Sequence, residues 1–221
     1  MDYILPVGKV LCLRTCHKDL TSHGGFQWSG EGEVRCPDWS SEPECGHGLH
    51  GLLWGQGNGD LLNWSADAVW LVVEVDFEAI VDLGGKVKFP VCRVVYSGDR
   101  RAATDLIHQR APNGTTVVGV TLTGGKDSIL TGGYGSTLTG GNDSTLTGGD
   151  GSTLTGGNDS ILTGGKDSIL TGGYGSTLTF RYWDESSSRN RIVTCYPGED
   201  GIEVNQPYRL DRNRKPVKVV K

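Results

Sequence analysis

The chain has 221 residues, 35 of them Gly, with a formal net charge of −5. Its hydrophobic fraction is 36 % and its mean hydropathy −0.30, and no apolar run approaches the roughly 18 residues of a membrane-crossing helix, so that class is excluded. The acidic balance argues against non-specific nucleic-acid binding by the whole surface, no specific nucleic-acid or membrane partner is expected, and six Cys are too few to staple a chain of this length; reduced thiols, a cytoplasmic location and no N-terminal leader are expected.

Residues 1–111 read as a small α+β globular domain. They hold five of the six Trp, and 10 basic against 15 acidic residues give this part a net charge of −5. Lys9 to Arg14 (KVLCLR) and Val69 to Val75 (VWLVVEV) predict buried strands. Lys86 to Tyr96 (KVKFPVCRVVY) predicts a third strand, with Pro90 marking an edge or a bulge. A short helix is expected over residues 100–110.

Residues 112–179 are governed by a period of eight. Leu recurs from Leu122 to Leu178 and Ser from Ser128 to Ser176, in a unit T-G-G-x-[DG]-S-[TI]-L, with Thr115 to Leu122 as a degenerate first copy. Paired Gly in every unit costs a helix about 2 kcal/mol per repeat, so each unit reads as a short strand and a Gly-rich turn. Strand alternation puts Ser and Leu on one side and the Thr/Ile and Thr positions on the other. A lone strand cannot bury its Leu, but two octads per coil can close a β-solenoid around the Leu column. Sixteen residues per coil give 3.5 coils over residues 123–178. One outer face then carries Thr137, Thr139, Thr153, Thr155, Ile169 and Thr171, and the opposite face Ile129/Thr131, Thr145/Thr147, Ile161/Thr163 and Thr177/Thr179. Tyr134 and Tyr174 fall on opposite edges. Asp127, Asp143, Asp159 and Asp167 alternate with Gly135, Gly151 and Gly175, which suits a turn conformation that Asp tolerates and makes a poor calcium cage.

Residues 180–221 predict an aromatic hairpin cap, Phe180–Trp183 and Arg191–Tyr196 around a polar loop, followed by a basic tail whose ordinary reading is a solvated end.

The octads GGYGSTLT, GGNDSTLT and GGKDSILT resemble those of bacterial ice nucleation proteins. The resemblance implies a two-octad solenoid and ice binding through Thr-x-Thr rows; Ile129, Ile161 and Ile169 depart from the pattern, and the array is short. The string Cys45-Gly46-His47-Gly48-Leu49-His50 resembles that of a phage- and bacteria-associated domain of unknown function. The order of elements in residues 1–111 is also similar to that of ADP-ribosyltransferases. That likeness implies an NAD-using head with Arg14, His47 and His50 as ligand-binding residues and a pocket containing the GHGLHG loop. Such enzymes need a late-strand Glu; VCRVVYSGDR offers only Asp99, and Glu74 is expected to point outward from the middle strand.

Cys36, Cys45, His47 and His50, and separately Cys12, Cys16, His17 and His23, are residue types that zinc uses, but neither set has paired metal-ligand spacing, and no metal or other cofactor is expected. No nucleophile-elbow, phosphate-loop or zinc-protease motif occurs. The leading expectation is therefore a non-catalytic assembly protein. Its rod forms a homo-oligomer through the Thr/Ile rows and presents the N-terminal domain to a protein partner. Ice binding through the same rows and an NAD-using head are the alternatives.

Overall fold

The computed structural model describes residues 3–220, which fall into two compact units, Met1–Val118 and Gly119–Lys221. The first unit is one antiparallel sheet with a helix. Its strands are Lys9–Cys16 (β1), Gly32–Arg35 (β2), Leu49–Leu53 (β3), Val69–Asp76 (β4), Val81–Asp82 (β5), Val87–Phe89 (β6) and Val91–Gly98 (β7), in the order β2-β7-β4-β1-β3-β6-β5. Helix α1, Arg100–His108, starts at Asp99, whose carboxylate accepts from the Ala102 amide at 3.0 Å, a standard cap for the orphan amides of a first turn. Its Ala103, Thr104 and Ile107 are buried.

The β-branched run VWLVVEV makes β4 central, between β7 and β1, and Leu71, Val72 and Val73 are wholly inaccessible. Both faces of this strand are covered, which is why its near-continuous apolar run replaces alternation. Glu74 is consequently not outward: it is buried and accepts from the Tyr3 hydroxyl. Pro90 does more than mark an irregularity. It divides the expected single strand in two, and the halves join different parts of the sheet, β6 pairing with β3 and β5, and β7 with β4 and β2. Proline has no N–H to give a ladder, so continuous pairing cannot pass through it.

The second unit is a β-solenoid closed by antiparallel strands. Thr121–Thr123 (β8), Ile129–Gly132 (β9), Thr137–Thr139 (β10), Thr145–Gly148 (β11), Thr153–Thr155 (β12), Ile161–Gly164 (β13), Ile169–Thr171 (β14) and Thr177–Asp184 (β15) alternate between two sheets. Within each sheet neighbours are parallel and in register sixteen residues apart, Leu138 opposite Leu154 and Leu154 opposite Leu170. The degenerate first unit supplies β8, so eight strands make four coils. The Leu side chains from Leu138 to Leu178 are wholly buried and form the core; Leu122 and Leu130, in the first coil, are only partly covered.

Arg189–Cys195 (β16), Pro207–Leu210 (β17) and Pro216–Lys218 (β18) follow. The expected hairpin is β15–β16, and it covers one sheet. Phe180 stands in register with Gly164, so an aromatic replaces the corner glycine and the strand runs straight on instead of turning. Of the expected cap, Phe180 and Cys195 enter the core, whereas Trp183 is 46 % exposed. The basic tail is not a loose end: β17 pairs antiparallel with β14, and β18 with β17, closing the second sheet. Tyr208 carries this pairing, buried beside Phe180 and Cys195, with its hydroxyl accepting from the Glu203 amide at 2.8 Å.

Candidate functional site

The solenoid surface follows from how its turns are held. The buried Ser of each unit ties one coil to the next. Ser160 Oγ accepts from the Ser144 amide at 3.2 Å and donates to the Gly141 carbonyl at 3.2 Å, and Ser176 repeats this on Ser160 and Gly157. A buried hydroxyl thereby satisfies turn groups that neither sheet reaches. At the corner itself, Asn142 Oδ1 accepts from the Asn158 amide, and Asn158 Oδ1 from that of Tyr174, both at 3.0 Å. Asp127, Asp143, Asp159 and Asp167 all adopt positive φ, between 55° and 61°, and the alternating Gly135, Gly151 and Gly175 adopt 63° to 72°. That is the left-handed geometry Asp and Gly share, and it accounts for the alternation without a bound cation. Gly156 and Gly157 show why each unit needs two glycines: a Cβ on the first would lie 2.8 Å from Ser160 Cβ, and on the second 2.6 Å from the Asn142 amide.

Locked turns leave two outward surfaces of rows. One carries Thr121/Thr123, Thr137/Thr139, Thr153/Thr155 and Ile169/Thr171; the other Ile129/Thr131, Thr145/Thr147, Ile161/Thr163 and Thr177/Thr179. Parallel pairing spaces successive rows by about 4.8 Å and the two Thr of a row by about 6.6 Å. Thr139, Thr153 and Thr155 are exposed; Thr137, Ile169 and Thr171 are partly covered. The second surface differs in bearing Ile129 and Ile161, 81 % and 52 % exposed.

The first unit contains a cleft of about 770 Å³, lined by Arg14, Trp28 and the loop from Cys45 to Gly51. It opens where two strands part. The pairing of β1 with β3 runs only through Cys12–Leu53 and Leu13–Leu52, although both strands continue. Beyond that point Arg14 fills the gap, donating from Nη1 to the His50 carbonyl at 3.0 Å. Its guanidinium lies 3.9 Å from the centre of the Trp28 ring, and burial pulls its pKa down. Of the three head residues singled out from sequence, all line the cleft, but His47 differs in role: it sits at positive φ, and Nδ1 meets Asp38 Oδ2 at 3.0 Å. Trp28, Asp38 and Lys86 were missed, because nothing in their spacing ties them to Arg14. Lys86 Nζ donates to Cys45 Sγ at 3.0 Å and draws that thiol's pKa down. Among the described residues no group of three or more His, Cys, Asp or Glu could hold a metal ion.

Burial, and then the nearby Lys86, Arg14 and Lys88 charges, push His50 down to about 4. The unfolded chain therefore binds a proton at His50 near pH 6.5 that the folded chain refuses until about pH 4. Stability is full above pH 6.5 and falls as pH drops through this window. The loss expected, discounted for partial solvent access, is on the order of 1–2 kcal/mol. Urea unfolding followed by Trp fluorescence, which is dominated by the first unit, should show it, and His50→Asn should flatten the slope.

Comparison with known proteins gives a family match and a set of similar proteins. Residues 10–107 match a family described as "Domain of unknown function (DUF7666)". The chain is 39 % identical over 121 residues to an "Ice nucleation protein" of Pseudomonas syringae pv. syringae, covering 54 % of this chain and 10 % of that protein. It is 40 % identical over 106 residues to "Ice nucleation protein InaU" of Pantoea ananas, covering 47 % and 10 %, and 40 % identical over 108 residues to an "Ice nucleation protein" of Xanthomonas campestris pv. translucens, covering 48 % and 7 %. About half of this chain is thus similar to ice nucleation proteins. The chain spans a tenth or less of the length of these relatives. No solved structure matches.

Proposed function

We propose that the Thr-bearing face of the solenoid organises a small layer of water in the manner of an ice nucleation protein. The observation that carries this reading is the in-register stack of outward Thr-x-Thr rows on strands β10 and β12, flanked by β8, with Thr139, Thr153 and Thr155 exposed. Two hydroxyls per row on a flat, rigid lattice offer regularly placed donors and acceptors, and the methyl groups between them keep water from binding at random. Similarity to ice nucleation proteins supports the same reading. Four rows span only about 14 Å, so the effect of one copy is weak. Purified chain at high concentration is expected to facet growing ice crystals while lowering the supercooling of droplets little. Replacing Thr137, Thr139, Thr153 and Thr155 together with Lys should return crystals to round discs. Equal faceting by both proteins would sink the reading.

A second reading, self-association, draws on the opposite face. Ile129 and Ile161 are large exposed side chains two coils apart at one coil position, each in register with Thr145, and a second copy of the same face would cover them. Light scattering over a concentration series separates the two faces. Loss of a larger mass on Ile129→Lys/Ile161→Lys supports pairing through the Ile face. Its loss on Thr139→Lys/Thr155→Lys/Ile169→Lys instead moves the contact to the Thr face.

A further inference from the structure

The head cleft carries an unmet demand. Two side-chain nitrogens on its walls, Arg14 Nε and His50 Nε2, are buried and have no hydrogen-bond partner. A buried donor left unpaired costs roughly 1–3 kcal/mol, and native proteins retain few of them. These two belong to the side chains that flank the point where β1 and β3 separate, joined there by the contact from Arg14 Nη1 to the His50 carbonyl.

The cleft is lined by the cations of Arg14 and Lys86 and by the carboxylates of Asp38 and Asp60. Among the described residues Arg14, Lys86 and Lys88 make no ion pair with a carboxylate. Lys86 faces the Cys45 sulfur, Lys88 the Glu44 carbonyl, and Arg14 the His50 carbonyl. Of the two carboxylates, Asp38 is engaged by Cys36 and His47. Cations that hold no carboxylate in an ion pair, beside two idle nitrogens, are complementary to a bound anion. The cleft volume, about 770 Å³, lies within the range of sites for small organic ligands and is much larger than a bare ion requires. Trp28 and Phe26 supply an apolar wall for the rest of such a molecule.

We propose that the head is a binding domain for a small organic oxyanion, a phosphate or a carboxylate, whose oxygens accept from Arg14 Nε and from His50 in its Nε2–H form. This goes beyond the solenoid reading and does not depend on it. The bound oxygen restores the two missing hydrogen bonds, and the guanidinium stays pinned between the Trp28 ring and the His50 carbonyl. Arg14 is thus pre-oriented, so little side-chain freedom is lost on binding.

The test uses the full chain with histidine rings labelled for NMR. Inorganic phosphate and AMP probe the phosphate source, benzoate and citrate the carboxylate source, and adenosine is the neutral control. The expected result is a saturable shift of the His50 ring signal with at least one oxyanion below ~20 mM, none with adenosine, and His17 and His108 unmoved. The series that responds names the source. Arg14→Met should weaken the binding by ~10-fold or more, and Arg14→Lys, which keeps charge and stem but lacks Nε, should not restore it. Circular dichroism checks that both variants fold; if they do not, the wild-type titration decides alone. A still His50 signal with every oxyanion overturns the proposal, as does adenosine acting as AMP does. Undiminished affinity in folded Arg14→Met overturns it too.

Discussion

Leu154→Ala should destabilise the solenoid by about 3 kcal/mol or more. Leu154 is wholly buried on β12, between Leu138 and Leu170 in the rungs on either side. The cavity left by truncation cannot collapse, because the parallel ladders and the Ser160-type hydroxyl bridges hold neighbouring coils at fixed spacing. In a stack where each coil touches only its neighbours, a defect at the centre weakens two junctions at once. Leu122→Ala should cost much less, since that side chain is only partly covered. Hydrogen exchange of the Ser and Thr amides in β10 to β14 would report both variants. Equal costs at the two positions would contradict a core graded from the first coil inward.

Removing residues 206–221 is expected to produce species of larger mass than the full chain at the same concentration. The deletion strips β17 and β18 and leaves the edge of β14 with unpaired amides and carbonyls. A flat parallel edge in this state is a template for another chain. The loss of buried Tyr208 adds about 3–5 kcal/mol of destabilisation at the same end. The other sheet would stay covered by β16, whose Arg189 and Arg191 discourage pairing. Size-exclusion chromatography with light scattering measures the difference; an unchanged mass would mean that the β14 edge is harmless without its cover.

Much of the solenoid was legible because its period, eight, is a multiple of the two-residue strand period. Every octad then presents the same faces, and inward Leu and Ser with outward Thr follow without knowing any partner. The corner was legible too: only a left-handed residue explains Asp and Gly trading places. The tail was not. Tyr208, Leu210 and Val217 are sparse among basic residues, and the partner of Tyr208, Leu170 of β14, lies more than thirty residues earlier, beyond any local pattern. In the head, the strands around Val10 and Val72 announced themselves by composition, but KVKFPVCRVVY hid two destinations behind one apolar run. The cleft was half visible. The GHGLHG loop suggested it, whereas the stacking of Arg14 on Trp28 and the early end of the β1–β3 ladder are products of the tertiary fold.

The sixteen-residue register has a consequence for how such an array changes length. Gain or loss of one octad upstream of Ile161 would rotate every downstream unit onto the opposite surface and move Ile161 among the Thr rows, while β14 to β18, which lie downstream together, would keep their mutual pairing. Gain or loss of two octads preserves the surfaces and both closures. Parity is therefore inherited with the surfaces: descendants of this chain that keep its two faces should differ by whole coils, and an odd number of inserted octads should exchange the Thr and Ile faces downstream of the insertion.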